Sequence, residues 1–217
     1  MTSDNPHVDA GVERLGPALA DAAVVVVAVH GRAQSPAYLR EHLVAPIGRS
    51  DIAWLLPAAA GETWYPLGFL APLADNQPSL DHALAVMAAI DDELSRLDQR
   101  RVVWAGFSQG ACLITEYLAR HPRRTGGVIA LTGGMLGPPE TTLTVAGSFD
   151  GTPVYFGTGD PDDWVPVWRV RETAAAYGAA AADVTLEIFP GRAHEIGGPE
   201  LDQTRALLAS VANGIHR

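Results

Sequence analysis

Six short runs rich in β-branched and aromatic residues recur along this chain, each followed by a stretch with a different, helical spacing. The runs are VVVVAV (24–29), IAWLL (52–56), RVVWAGF (101–107), GVIALTG (127–133), PVYFGTG (153–159) and VTLEIF (184–189). Nearly continuous apolar runs mark strands covered on both faces. Helical patterns fall near 36–45, 79–98, 109–120, 166–181 and 200–213. This alternation dictates an α/β fold, a mostly parallel sheet wound by right-handed crossovers with helices on both faces. Ser79 is placed to cap the second helix, whose buried stripe reads Leu80, Leu84, Met87, Ile90, Leu94 and Leu97. The first 20 or so residues are polar and poorly patterned, an edge strand or a loose arm. No linker or internal repeat divides the 217 residues, so one domain is expected over 1–217.

Composition excludes several function classes. The formal net charge is -10, which repels phosphate backbones and anionic lipid, so nucleic acid is not an expected partner. All 15 basic residues are Arg. One cysteine closes no internal disulfide, and no Cys/His cluster has metal spacing, so neither metal nor cofactor is expected. The start, MTSDNPHVD, lacks the basic and apolar regions of a signal peptide. The longest apolar run, AAVVVVAV (22–29), is too short to span a bilayer. A soluble, cytoplasmic protein is expected.

In open α/β sheets chemistry sits just beyond the strand ends. The third strand ends in GFSQG, a Gly-x-Ser-x-Gly between a strand and a helix. Such a turn strains the serine outward, and its glycines remove side chains that would strike neighbouring backbone. Ser108 is therefore the candidate nucleophile, at a helix N-terminus whose free N–H groups suit a developing oxyanion. A serine hydroxyl needs a base, and the base needs an orienting carboxylate. In this architecture the order is Ser, acid, His. His121 ends the helix that starts at the serine, and His216 is next to the C-terminus. His194 follows the last strand in a Gly-flanked loop and is the candidate base. Asp150, Asp160, Asp162 and Asp163 lie between the two, and spacing does not choose among them. The oxyanion donors are expected from Gln109 and from the loop His30-Gly31-Arg32-Ala33 after the first strong strand. His30 precedes the serine and reads as a structural hydrogen-bonding residue. Cys112, one helical turn past Ser108, reads as a small buried packing residue.

Together HGR, PAAAGETWYPLGFLAPL, GFSQGACL, GDPDDWVP and FPGRAHEI resemble the phospholipase/carboxylesterase family of α/β-hydrolases, from about residue 24 to 214. The family includes acyl-protein thioesterases and small bacterial carboxylesterases, and the TWYP block resembles the bacterial branch. The resemblance implies Ser108 as nucleophile and His194 as base. Its Gly-Asp-x-Asp-x-x-Val-Pro pattern matches from Gly159 to Pro166, which implies Asp162 as the acid and leaves Asp160 in reserve. It also implies the N–H groups of Arg32 and Gln109 as the oxyanion hole. Two departures stand out. Ala58 replaces a frequent Gln, and Ala33 replaces the usual glycine. Alanine resists positive φ, which predicts a differently shaped oxyanion loop.

The expected activity is a serine carboxylesterase acting through an acyl-enzyme on short- to medium-chain esters, with little or no lid. The same residues would serve an acyl thioesterase or a lysophospholipase. A binding protein on a hydrolase fold is the reading outside enzymology. Pocket candidates are Trp64, Tyr65, Phe69, Leu70, Met135, Leu136, Trp164 and Ile196, apolar residues near the same strand ends. The partner is a small-molecule ester, and the resemblance leaves a homodimer open.

Overall fold

The apolar runs form the strands that their two-sided burial requires. In the computed structural model, which describes residues 4–214, all six runs are strands and a seventh joins them. The residue His216 and the first three residues lie outside that range. A short helix α1 (Pro6–Ala10) precedes β1 (Val12–Leu15). There follow β2 (Val24–Val29), α2 (Pro36–Leu39), α3 (Ala45–Ile47), β3 (Ile52–Pro57), α4 (Ser79–Leu94) and β4 (Val102–Phe107). The rest is α5 (Gln109–Arg120), β5 (Gly127–Leu131), β6 (Pro153–Asp160), α6 (Val167–Ala179), β7 (Asp183–Pro190) and α7 (Gly198–Gly214). The sheet order is β1-β3-β2-β4-β5-β6-β7. Only β1 runs antiparallel, pairing Val12 with Pro57 through Leu15 with Trp54. The poorly patterned N-terminal stretch is thus an edge strand preceded by one helical turn.

Alternation along each strand builds a core on either face. Val25, Val27 and Val29 face α4, α5 and α6, packing with Met87, Leu113 and Tyr177. Val24, Val26 and Ala28 face the other side with Leu39, Leu43 and Ile47 and, from α7, Leu208 and Val211. Between α2 and α3 the helix widens to a π turn over Arg40–Val44. Pro46 follows, and it has no N–H to continue an α-helical ladder.

Helix α4 buries Leu80, Met87, Ile90 and Leu94 as the stripe predicts, with Leu84 and Leu97 partly buried against the same core. The expected cap does not form. Ser79 is the first helical residue, Pro78 holds the cap position without a capping side chain, and Gln77 Oε1 accepts from Asp81 N–H at 3.1 Å instead. Pro166 holds the position just before α6. Among the described residues no helix is long and apolar enough to cross a membrane.

Candidate active site

Strand β4 passes directly into α5 through Ser108, which takes φ 54° and ψ -121°. That conformation is strained for an L-residue and is held by the frame around it. The Ser108 N–H donates to the Leu131 carbonyl at the end of β5, and the Ser108 carbonyl accepts from Cys112 N–H. The two glycines of GFSQG are there for space. A Cβ on Gly106 would come within 2.7 Å of Ala111 N, and one on Gly110 within 2.0 Å of the Val29 carbonyl oxygen.

Three loops converge on the hydroxyl. His194, in the loop between β7 and α7, places Nε2 2.8 Å from Ser108 Oγ. Its Nδ1 lies 2.8 Å from Asp162 Oδ2. The four aspartates that spacing left open separate cleanly. Asp160 and Asp163 are exposed, and Asp160 uses only its carbonyl, which accepts from Gly191 N–H. Asp150 pairs with Ser148 before β6 begins, at the opposite end of that strand. The Asp162 side chain alone is fully hidden, at 0% exposure against 19% for His194. Its other oxygen, Oδ1, accepts the N–H groups of Trp164 and Val165, each at 2.8 Å. With Oδ1 committed to two donors, Oδ2 faces the imidazole as an acceptor. Nδ1–H therefore donates to Asp162, and Nε2 is left to accept from Ser108 Oγ–H.

The expected oxyanion donors flank the same point. Gly31 N–H is taken by Gln34 Oε1 at 2.9 Å and Ala33 N–H by the Glu62 carbonyl at 2.8 Å. Of these three loop N–H groups, Arg32's is the one that no described residue accepts. Gln109 opens α5, where the first N–H groups find no acceptor in their own helix. Ala33 does not avoid positive φ. Ala33 adopts φ 55°, the left-handed conformation a glycine would take freely, and its bond to Glu62 holds it there. The cost for one such residue is about 1–2 kcal/mol, small enough for one fixed contact to offset.

Two side chains that sequence reasoning passed over tie the site together. The Gln109 amide accepts from Trp64 N–H at 3.0 Å and donates to the Tyr65 carbonyl at 2.8 Å. The Arg32 guanidinium donates to the carbonyls of Tyr65, Pro66 and Leu67. Both oxyanion candidates thus also fasten the 64–67 segment. Nothing in the local pattern marks these side chains, because their partners are backbone atoms of a loop more than 30 residues away.

A cavity of about 280 Å³ opens over Ser108 and His194. Tyr65, Phe69 and Trp164 line it as expected, with Arg32, Gln34 and Cys112. Trp164 stands 69% exposed at its mouth. Five expected pocket residues lie elsewhere. Trp64 is fully buried, its indole N–H donating to the His30 carbonyl, so it packs beneath the loop instead of facing substrate. Met135 and Leu136 are buried behind the site, their N–H groups bound to Thr173 Oγ1 and Glu116 Oε2. Leu70 and Ile196 pack against the two cores. Cys112 is 1% exposed and burial pushes its thiol up to about 12, which keeps it protonated and inert. A larger cavity, about 480 Å³, lies by Gly126 and Pro153 at the opposite ends of β5 and β6, remote from the serine.

Two buried histidines underpin the 59–64 segment. His30 Nδ1–H donates to the Gly31 carbonyl while Nε2 accepts from Ala59 N–H, the structural role expected of it. His7 Nε2–H donates to the Trp64 carbonyl while Nδ1 accepts from Ala60 N–H. Each ring must be neutral to accept, and burial lowers both pKa values. Unfolded histidines ionise near 6.5, so below about that pH the unfolded chain binds more protons than the folded one. Stability is therefore lost as pH falls from about 6.5 towards the lowered folded values. The melting temperature should drop between pH 7.5 and 5.5, and the drop should shrink in His7→Gln. Equal slopes for the two proteins in a thermal-melt series would refute the role given to His7.

The family described as Phospholipase/Carboxylesterase matches residues 28–211. The crystal structure of a phospholipase/carboxylesterase from Dyadobacter fermentans DSM 18053 superposes with a TM-score of 0.83 at 36% identity, over 91% of this chain and 95% of that one. Esterase PE8 superposes at 0.73 with 24% identity, over 92% and 97%, a likeness of fold. Acyl-protein thioesterase 1 of Saccharomyces cerevisiae is 22% identical over 142 residues, which are 62% of this chain and 60% of the yeast protein. The match thus spans about three-fifths of that curated relative.

Proposed function

The chain belongs to the phospholipase/carboxylesterase family, whose members are hydrolases acting on esters, and on that premise we propose that it is a serine carboxylesterase for short- to medium-chain esters. One observation carries the reading: the unbroken chain Asp162 Oδ2–His194–Ser108 Oγ, with both links at 2.8 Å. Ser108 Oγ attacks the ester carbonyl while His194 Nε2 takes its proton. The new negative charge on the carbonyl oxygen is held by the N–H groups of Arg32 and Gln109. Asp162 stabilises the imidazolium without itself taking the proton. His194 then gives the proton to the departing alkoxide, leaving an acyl-enzyme. Water, deprotonated by His194, attacks that ester, and the acid leaves as the serine recovers its proton.

The cavity supports a short to medium acyl group. Its 280 Å³ sits at the lower end of ligand pockets, which run from about 300 to 1,000 Å³. The exposed Trp164 leaves the mouth open. The similarity to acyl-protein thioesterase 1 favours a second reading, sulfur esters through the same acyl-enzyme. Comparing kcat/KM on matched oxygen and sulfur esters separates the two.

The direct test is labelling with a fluorophosphonate. One adduct per chain is expected, on Ser108, and none in Ser108→Ala. Folded wild-type protein that takes no label would leave the hydroxyl unactivated and end the hydrolase reading.

A further inference from the structure

His194 sits at the middle of a seven-residue stretch, 191–197, between β7 and α7. A loop of that length has no reason of its own to hold an imidazole in line with both Ser108 and Asp162. One carboxylate holds it at two points. Glu200, in the first turn of α7, is fully buried. Its Oε1 accepts from Arg192 Nη2 at 2.8 Å, and its Oε2 accepts from Gly197 N–H at 2.8 Å. The contacts fall two residues before His194 and three residues after it. The Arg192 guanidinium also lies 4.2 Å above the Phe189 ring, which fixes it from a second side.

Strand β6 has been shaped to admit this arrangement. A Cβ on Gly157 would come within 2.5 Å of Glu200 Oε1, and one on Gly159 within 2.5 Å of the Arg192 carbonyl oxygen. Room for the carboxylate and for the loop therefore depends on two glycines in a strand that otherwise packs side chains. Burial raises the Glu200 carboxyl, and the Gly197 N–H and the Arg192 charge oppose that rise. The nearby Glu187 carboxylate, bound by Tyr155 and Gln203, adds a like charge, and Arg192 is the cation paired with Glu200.

From this geometry we infer that Glu200, acting with Arg192, is the positioning residue for His194: it sets the imidazole in line with Ser108 and touches no reacting atom. The inference rests on the hydrolase reading above. If the carboxylate only packed α7, its loss would lower stability and leave turnover per active site unchanged. If it positions His194, kcat falls while KM holds, because the proposed oxyanion donors and the cavity's aromatic lining, Tyr65, Phe69 and Trp164, lie on other loops.

The test uses Glu200→Gln and Arg192→Met, with kcat and KM measured on p-nitrophenyl butyrate well below the melting temperature. Active sites are counted by fluorophosphonate. Misplacement of a catalytic group by about 1 Å costs on the order of 100-fold, so a kcat loss of about 10- to 100-fold is expected in each variant, with KM within about 3-fold. Because the two side chains act as a unit, the double variant should lose no more than about 3-fold beyond the worse single one. Wild-type kcat per labelled site in either variant would overturn the proposal and leave the hydrolase reading standing. Wild-type protein that neither labels nor turns over would overturn both.

Discussion

Asp162→Asn is expected to lower kcat/KM on p-nitrophenyl butyrate by about 10⁴, and Asp160→Asn by less than about 3-fold. The size of the first effect follows from how the carboxylate is held. Trp164 N–H and Val165 N–H both donate to Oδ1. In the amide these two donors would keep the carbonyl oxygen at that position. The NH₂ group would then replace Oδ2 and point a donor at His194 Nδ1. To avoid two donors facing each other, the imidazole would carry its proton on Nε2. That nitrogen now meets Ser108 Oγ at 2.8 Å as an acceptor, and with a proton on it the serine would have no base. Packing would hardly change, so melting temperatures of the two variants should stay close while rates differ by orders of magnitude. Asp160 contributes a backbone carbonyl and an exposed side chain, and only the carbonyl touches the His194 loop. A loss below 10-fold in Asp162→Asn, or a larger loss in Asp160→Asn, would move the acid away from 162.

How far each part could be read in the sequence depends on how local its cause is. The six long strands were legible because burial on two faces forces a continuous apolar run. Strand β1 was legible only as one of two readings, edge strand or loose arm, because four residues, Val-Glu-Arg-Leu, pair on one side only and show no period. Ser108 and His194 were legible from the elements that flank them, and the resemblance was needed to choose Asp162 among four aspartates. The pocket was the least legible part. An apolar loop residue looks the same whether it lines a cavity or plugs the core. Trp64 turns inward because its indole N–H finds the buried His30 carbonyl, a partner 34 residues away. Ala33 takes a conformation that alanine disfavours. The rule that alanine resists positive φ is sound, yet a single 2.8 Å bond to the Glu62 carbonyl is enough to hold it at 55°. Glu200 went unseen because its partners, Arg192 and Gly197, form no motif with it until the loop closes.

Gly110→Ala should be the most damaging single methyl that can be added to this chain's serine turn. The new Cβ would lie 2.0 Å from the Val29 carbonyl oxygen and 2.6 Å from that of His30. Both are backbone atoms, so no rotamer change relieves the contact, and α5 must move away from the end of β2. Overpacking usually costs about 1–3 kcal/mol, and a clash with fixed backbone belongs at or beyond the top of that range. About 3 kcal/mol in a chain of this size lowers the melting temperature by about 6–12 °C. Gly178→Ala is the control. Its Cβ would meet only Val184 Cγ2 at 4.0 Å, in the last turn of α6, and it should be neutral or stabilise by up to about 0.5–1 kcal/mol. The activity loss in Gly110→Ala should exceed what stability accounts for. The contact of Gly110 with Val29 and His30 sets the distance between the Gln109 N–H on α5 and the Arg32 N–H two residues beyond His30. Forcing them apart separates the two proposed oxyanion donors, and removing one such donor elsewhere costs about 100- to 1,000-fold in kcat. Folded Gly110→Ala protein, assayed at low temperature, should therefore bind fluorophosphonate slowly and turn over at least about 10-fold more slowly than wild type. Full activity with a lowered melting temperature would mean that close packing of α5 on β2 serves the fold alone, and that the oxyanion is held by other groups.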